Sequence, residues 1–303
     1  MIGVSRKARP LWGLLVIGVI ALSGCQSPFR TQAKQTIVVA SKNFTEQVIL
    51  GELLAQQIEA KTNLNVDRRL NLGGTFVCHQ GLTAGAIDLY VEYTGTAFTA
   101  ILKQKPISDP QAVYQQVKQA YAQQFGLEWT EPLGFNNTFA IIVRGDDAQR
   151  LQIQTLSQAA KFTPQWRAGF GYEFLERADG FPGLAKTYGL QFKESPKTMD
   201  LGLLYRALTD QQVDLVAGNS TDGLIASLKL VVLKDDKQYF PPYEAAPVVR
   251  QDTLKQHPEL GKVLQSLGGK ISEEDMRQLN YQVDGEKQDV KQVVQAFRQS
   301  KGL

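Results

Sequence analysis

The most informative part of the chain is residues 87–98, which read IDLYVEYTGTAF. Over residues 87–92, apolar side chains alternate with polar or aromatic ones, which is the pattern of a β-strand. The pattern breaks at residues 94–96, and an apolar, helix-compatible run follows at residues 97–102. The stretch therefore predicts a strand, a short turn and a helix, with the turn at the carboxyl edge of a sheet. Open α/β folds bind their ligands at that edge.

The predicted turn carries groups that suit a small ligand with two different ends. Tyr93 offers an aromatic ring, and Thr94 and Thr96 offer hydroxyl groups beside the backbone N–H groups of a helix start. A ring face attracts an apolar or cationic group, whereas N–H groups at a helix start attract an anion. We therefore expect this turn to form part of a binding site for such a ligand.

The rest of the chain alternates strand-like and helix-like segments, which predicts an α/β fold. A β-branched run at residues 36–40 predicts a buried first strand, and residues 45–61 follow as a helix with its apolar side chains on one face. Asp109, followed by proline, predicts a helix start. We also expect a strand at residues 168–174, and two or three helices that close the chain, one of them starting at Ser272.

Two crossings between domains are predicted near residues 140 and 245. An apolar strand candidate near residue 140 leads into a second α/β stretch, and a return strand follows a proline pair at residues 241–242. We therefore predict one lobe from residues 36–140 plus 245–303 and another from residues 141–244. Two crossings make a hinge, and the cleft between two lobes is a preferred ligand site.

The amino terminus has the features of a lipoprotein signal peptide at residues 1–24. Three basic residues precede an apolar stretch too short to span a bilayer comfortably, and small residues lead directly into Cys25. We expect Cys25 to be the lipidated first residue of the mature chain and residues 25–35 to serve as a tether. The competing interpretation is an ordinary signal peptide followed by a chance cysteine.

The charge balance gives no sign of a nucleic-acid surface. The whole chain has 33 basic and 30 acidic residues, and removal of residues 1–24 leaves 30 of each sign. The mature chain is therefore near neutral and carries no cluster of Lys and Arg. Once Cys25 is lipidated, Cys78 is the only cysteine in the sequence, so no disulfide within the chain is expected.

Seven segments, in order along the mature chain, resemble the glycine betaine, choline and osmoprotectant-binding proteins of ABC importers. They are SKNFTEQVILGELLA (41–55), LGGTFV (72–77), IDLYVEYTGTA (87–97), LGFNNTFAIIVR (133–144), YEFLERADGFPGLAKTYGL (172–190), VDLVAGNSTDGLI (213–225) and VVLKDDKQYFPPYEAAPVVR (231–250). The resemblance implies a two-lobed periplasmic-binding-protein fold, type II-like, with two α/β domains, a two-crossing hinge and a ligand cleft between the lobes.

The resemblance also implies an aromatic cage for a quaternary ammonium, which has no N–H group and must be held by ring faces. The cage positions correspond here to Tyr93, Phe139, Asn219 and Tyr243. Asn219 departs from the family, which often has tyrosine there. If each ring contributes about 1 kcal/mol, the loss weakens trimethylammonium binding about tenfold. Alternatively, the asparagine hydrogen-bonds a more polar ligand.

The carboxylate end of the ligand needs cations and hydrogen-bond donors. By resemblance, Lys42 and Arg177 match family contacts for that end, Thr96 can donate to it, and Asn137 lies where it can orient the ligand. The competing explanations are ordinary packing for the aromatic residues, a surface charge for Lys42, and an ion pair with Glu173 or Asp179 for Arg177.

These observations predict an extracytoplasmic solute-binding lipoprotein, a monomer without cofactor or metal that delivers a betaine-like solute to an ABC permease and its ATPase subunit. A secreted enzyme is disfavoured, because the sequence has no GxSxG, HExxH or phosphate-loop motif. A ligand-sensing domain for a membrane receptor would use the same cleft and remains an alternative. A more polar, non-betaine solute also remains open.

Overall fold

The computed structural model describes residues 36–303, which belong to one compact unit. The predicted signal peptide, residues 1–24, and the predicted lipidated cysteine and tether, residues 25–35, lie outside the described residues. Across residues 36–303, no helix has both the length and the apolar character that a membrane span requires.

Ten strands form two sheets within the described residues. They are β1 Thr36–Lys42, β2 Asn65–Gly73, β3 Leu89–Tyr93, β4 Leu127–Trp129, β5 Phe139–Arg144, β6 Ala168–Phe170, β7 Lys197–Thr198, β8 Leu215–Asn219, β9 Leu230–Leu233 and β10 Ala245–Arg250.

The two sheets share one topology. The first has the order β2-β1-β3-β10-β4, in which β1 is parallel to β2 and β3, while β10 runs antiparallel to β3 and β4. The second has the order β7-β6-β8-β5-β9, in which β6 is parallel to β7 and β8, while β5 runs antiparallel to β8 and β9. The chain enters the second sheet at β5 and returns to the first at β10. This two-sheet α/β architecture confirms the predicted fold class, and the exact lobe boundaries stay a prediction.

Fourteen helices surround the sheets in the described part of the chain. They are α1 Thr45–Lys61, α2 Thr75–Thr83, α3 Thr94–Thr96, α4 Pro110–Phe125, α5 Gly145–Leu151, α6 Leu156–Ala159, α7 Tyr172–Glu176, α8 Phe181–Tyr188, α9 Leu201–Thr209, α10 Leu224–Ser227, α11 Gln251–Gln256, α12 Pro258–Gln265, α13 Glu273–Asp284 and α14 Val290–Lys301. A π-helical turn follows α3 at Ala97–Ile101, and a 3-10 turn lies at Thr163–Gln165.

Local capping explains where two of these helices begin. The Asp109 carboxylate accepts hydrogen bonds from the first backbone N–H groups of α4, which ends at Gly126 in the left-handed conformation. Ser272 and Asp275 form a reciprocal capping box at the start of α13. Both helix starts agree with the sequence prediction, because these signals act within one turn of the chain.

The buried surfaces of α1 and β3 extend beyond their apolar residues. The predicted apolar face of α1 is buried, and Glu46, Gln47, Glu52 and Gln57 are buried with it. The helix packs against β1, β2 and the carboxyl-terminal helices, and only its last turn, residues 59–61, is exposed. Strand β3 is likewise buried along its whole length, since both faces of its sheet are covered.

Two sequence predictions about elements also differ from the structure. The expected strand at residues 168–174 ends at Phe170, and after Gly171 the chain turns into α7. Four helices, α11 to α14, close the chain instead of two or three. The aromatic residues near 170 misled the prediction because β-propensity describes a half-buried pleated surface, and these rings pack equally well around a short helix.

Each sheet has an apolar cluster on both of its faces. The clusters of the first sheet are centred on residues such as Ile37 and Leu53 on one side and Tyr90 and Trp129 on the other. The second sheet has the same three-layer arrangement. The carboxyl ends of the parallel strands, where side chains are free to leave the core, therefore face the space between the two sheets.

Candidate functional site

A cavity lies between the two sheets and is lined by residues from both. Its volume is about 80 Å³, taken as the space open to the centre of a water molecule. One water needs about 10 to 15 Å³ by this measure, so the cavity has room for a small solute. All eight of the predicted ligand residues lie in its wall: Lys42, Tyr93, Thr96, Asn137, Phe139, Arg177, Asn219 and Tyr243.

Strand ends bring the predicted residues together. Lys42, Tyr93 and Asn219 are the last residues of β1, β3 and β8, and Phe139 is the first residue of β5. Parallel strands end at one edge of a sheet, and the two sheets turn these edges toward each other. Of the remaining four residues, Thr96 ends α3 and Arg177 follows α7. Asn137 and Tyr243 lie in the two crossings.

Lys42 is a buried cation with a buried counterion. Its Nζ donates to Glu92 at 2.5 Å and to Thr75 at 2.9 Å, and it lies 5.0 Å from the centre of the Tyr93 ring. Lys42 is therefore not a surface charge. An ammonium has three donors, so one N–H remains for a group in the cavity.

Arg177 is held in the same way by Asp179. Its Nε donates to the Asp179 carboxylate at 2.9 Å and its Nη2 at 2.5 Å, while Nη2 also donates to Thr96 at 3.2 Å. Burial works to lower the pKa of Arg177, but the Asp179 carboxylate outweighs it and raises that pKa. The Nη1 group donates no hydrogen bond to residues 36–303 and lies 4.0 Å from Glu173. Arg177 thus combines an ion pair with one free edge of its guanidinium.

Aromatic rings are more numerous in the wall than the sequence predicted. Phe44, Tyr172 and Phe174 line the cavity in addition to the three predicted rings, and Phe44 stacks on Tyr93 at 6.4 Å. Phe139 packs against Phe174 at 4.8 Å. The ring missing at position 219 therefore leaves the cavity well supplied with aromatic surface.

Protein cations already occupy one face of two of these rings. Lys42 lies over Tyr93, and the Arg177 guanidinium lies 5.1 Å from the centre of the Phe139 ring. Like charges repel, so a ligand cation must use another ring or the opposite face. Two rings of the predicted aromatic cage, Tyr93 and Phe139, are therefore in contact with Lys42 and Arg177, the cations that were predicted to bind the carboxylate end of the ligand.

Asn219 is tied to its own lobe by Asp222. The Asp222 carboxylate accepts a hydrogen bond from the Asn219 backbone N–H at 2.8 Å and another from the Tyr205 hydroxyl. Burial raises the pKa of Asp222 to about 6, although these hydrogen bonds work to lower it. The Asn219 side-chain amide approaches the same carboxylate at 3.4 Å, a long contact that leaves the amide available to the cavity.

Several hydrogen bonds cross the cleft, so the two lobes are closed on each other. The Thr75 backbone N–H donates to Glu173 at 2.5 Å, and Arg177 Nη2 donates to the Thr96 hydroxyl at 3.2 Å. The Thr221 hydroxyl of the second lobe donates to Glu46 of the first at 2.5 Å. Glu46 and Glu92, the counterion of Lys42, were missed as site residues, because nothing in the local sequence indicates partners so far along the chain. Asp179, two positions from Arg177, is the ion-pair partner that the sequence had offered as a competing explanation.

Two α/β sheets around a solute-sized cavity, joined by two crossings, define the class of substrate-binding proteins of ABC importers. Residues 35–300 match the family described as the substrate binding domain of the ABC-type glycine betaine transport system. The chain belongs to this family, as the sequence resemblance predicted, and the family is one of transport proteins.

Three similar proteins illustrate the range of the family. The carnitine transport binding protein OpuCC of Listeria monocytogenes is 37% identical over 94% of this chain and 94% of its own length. The ergothioneine transport permease/ergothioneine binding protein EgtU of Helicobacter pylori is 38% identical over 89% of this chain, which matches 48% of that protein. The crystal structure of a glycine betaine/carnitine/choline ABC transporter protein superposes with a TM-score of 0.71 at 34% identity, covering 88% of this chain and 98% of the other.

Proposed function

We propose that this substrate-binding protein captures a quaternary-ammonium solute, such as carnitine, choline or a betaine, and delivers it to the permease of an ABC importer. The observation that supports the proposal is the convergence of all eight predicted residues on one cavity between the two sheets. Relatives named for carnitine and for glycine betaine support the same ligand class.

The charges in the wall suggest how a zwitterion would lie in the cavity. Its carboxylate would meet the remaining N–H of Lys42 and the free Nη1 edge of Arg177, both backed by buried counterions. Its ammonium would point away from these cations, toward ring faces that no protein cation covers. Tyr243, whose hydroxyl is fixed by Asp179, offers such a ring.

Asn137 favours a ligand that can itself donate a hydrogen bond. Its amide nitrogen donates to Glu46 at 2.7 Å, so its Oδ1 points away from that carboxylate. This buried Oδ1 accepts no hydrogen bond from residues 36–303. A buried acceptor without a partner is costly, and the hydroxyl of carnitine or choline would satisfy it. Glycine betaine has no donor, so we expect it to bind less tightly than carnitine. The imidazole ring of ergothioneine is the more polar alternative.

Calorimetric titration of the lipid-free chain tests this proposal. The panel is L-carnitine, choline, glycine betaine and ergothioneine, with glycine as a solute that has no methylated ammonium. We expect binding of at least one methylated ammonium and none of glycine. Phe139→Leu should weaken that binding about tenfold, because it removes the ring face that Arg177 leaves uncovered, and one ring contributes about 1 kcal/mol to holding a cation.

The matched control for Phe139→Leu is Phe162→Leu. Phe162, like Phe139, is a partly buried ring packed against the core of the second sheet, but it stacks on Trp166 outside the cavity. Its replacement should leave affinity unchanged. Failure of every methylated ammonium to bind, or equal losses in the two variants, would contradict the proposed function.

We also propose that the protein is anchored at the outer face of a membrane through lipid on Cys25, and that it acts there as a monomer. The proposal rests on the small residues and apolar stretch that precede Cys25 in the sequence. We expect Cys25→Ser to move the protein from the membrane fraction to the soluble extracytoplasmic fraction. A wild-type chain recovered only from the soluble fraction would disprove the anchor.

A further inference from the structure

Glu46 is a buried carboxylate at the place where the ligand cavity meets the contact between the lobes. It lies near the start of α1 and is 1% exposed. It makes no ion pair with any residue of the described range 36–303. Burial raises the pKa of Glu46, and the hydrogen bonds that its carboxylate accepts work to lower it, so the group depends on those donors.

Four donors surround Glu46, two for each carboxylate oxygen. Oε1 accepts from the Tyr93 hydroxyl at 2.6 Å and from the Asn137 amide at 2.7 Å. Oε2 accepts from the Thr221 hydroxyl at 2.5 Å and from the Asn280 amide at 3.1 Å. A carboxylate has about four acceptor positions, so its capacity is filled.

The two oxygens serve different parts of the molecule. The donors on Oε1, Tyr93 and Asn137, form part of the cavity wall. The donors on Oε2 belong to the contact between the lobes: Thr221 follows β8 in the second lobe, and Asn280 lies on α13 in the first. The Asn280 amide also donates to the Thr221 carbonyl at 2.9 Å, so it binds both sides of that contact.

The loop that carries Thr221 is fixed to the rest of the second lobe. Asp222 accepts hydrogen bonds from Asn219 and Tyr205, as described above. Because Asn219 lines the cavity and Thr221 reaches Glu46, a single short loop connects the far wall of the cavity to the carboxylate.

We propose that Glu46 is a positioning residue that couples the shape of the ligand cavity to closure of the lobes. Its four donors are all in place only when Tyr93 and Asn137 are set for the ligand and Thr221 has arrived from the second lobe. When the lobes open, Thr221 moves away and the Glu46 carboxylate loses the hydrogen bond that it accepts from the Thr221 hydroxyl, in a site that holds little water. This inference rests on the proposed function and adds the group that links binding to closure.

The test uses two variants that act from opposite lobes. Glu46→Gln keeps the size of the side chain but replaces one acceptor oxygen with a donor NH₂ group. Thr221→Val removes only the hydroxyl, and Thr221→Ser restores it. We expect the first two to accelerate L-carnitine dissociation roughly 10- to 100-fold in stopped-flow measurements, the range for a hydrogen bond to a charged group. Thr221→Ser should stay close to wild type.

A double variant separates coupling from a general loss of stability. If Glu46 and Thr221 act through their mutual hydrogen bond, the double variant Glu46→Gln with Thr221→Val should release L-carnitine no faster than the faster of the two single variants. Effects that multiply would instead show that the two residues act independently. Thr209→Val, an exposed threonine of the same lobe, is the matched control and should leave dissociation unchanged.

A measurement that needs no ligand keeps the inference distinct from the proposed function. Spin labels at Lys61→Cys and Lys193→Cys, both exposed and one in each lobe, report the distance between the lobes. We expect a short-distance population in wild type that falls at least about fivefold in Glu46→Gln and in Thr221→Val. If no methylated ammonium binds, the proposed function fails while this distance still tests Glu46. Equal distances in all variants, or a wild type that never shows the short distance, would overturn the inference.

Discussion

Replacing Asp179 by alanine is expected to lower the free energy of unfolding by about 3 to 5 kcal/mol, the usual cost of breaking a buried ion pair from one side. Asp179 is 1% exposed and Arg177 is 5% exposed. The Asp179 carboxylate takes two hydrogen bonds from Arg177 and one from the Tyr243 hydroxyl. Arginine does not lose its proton in proteins, so the variant must bury a cation whose remaining carboxylate partner, Glu173, lies 4.0 Å from Nη1.

Urea unfolding followed by circular dichroism measures this effect, with the slope of the transition reported alongside its midpoint. The same variant should also lose solute binding, because both partners of Asp179 line the cavity. Calorimetric titration of the fraction that remains folded checks that second expectation. The two readouts together distinguish a loss of stability from a loss of the binding surface.

Two comparisons show whether the missing counterion is the cause. Asp210→Ala breaks an exposed pair with Arg206, and exposed pairs contribute about 0 to 1 kcal/mol. Arg177→Met combined with Asp179→Leu removes both charges, and we expect it to recover much of the lost stability, since apolar replacements of buried pairs are often neutral. If Asp179→Ala unfolds within about 1 kcal/mol of wild type, water or another group must neutralise Arg177, contrary to this account.

The elements that sequence reasoning predicted correctly are those whose signals are local. Asp109 with the proline after it, and Ser272 with its acidic neighbours, place helix starts because a cap acts within one turn. Helix α7 was missed for the opposite reason. Its aromatic residues follow a strand, and only the packing of the second lobe decides that the chain turns after Gly171.

The residues of the cavity wall that lie at strand ends could be predicted from the sequence. Lys42, Tyr93 and Asn219 each close a strand, and a resemblance along the whole chain added their expected roles. The partners that lie far along the chain from the site residues were not predictable in this way. Lys42 and Glu92 are 50 positions apart, and Thr221 and Glu46 are 175 apart, so only the folded topology brings them together.

Gly223→Ala is expected to weaken solute binding by roughly 5- to 150-fold, which corresponds to an overpacking cost of about 1 to 3 kcal/mol. The stability of each lobe should stay nearly unchanged. A Cβ at Gly223 would lie 2.4 Å from the backbone nitrogen of Tyr281 and 2.6 Å from its Cα. Gly223 belongs to the second lobe and Tyr281 to helix α13 of the first. The clash involves backbone, so rotation of a side chain cannot relieve it, and the lobes must separate.

The local backbone does not oppose the substitution, because Gly223 has φ −68° and ψ −21°, a conformation that alanine adopts readily. The penalty therefore falls on the closed form alone, and a ligand that gains its contacts on closure must meet it. Gly202→Ala is the matched control: it lies on α9 of the same lobe with no atom near its Cβ, and alanine favours a helix. Calorimetric titration of the solute identified by the panel compares the two. Equal affinities for Gly223→Ala and Gly202→Ala would mean that the protein binds its solute without bringing the loop after β8 against α13.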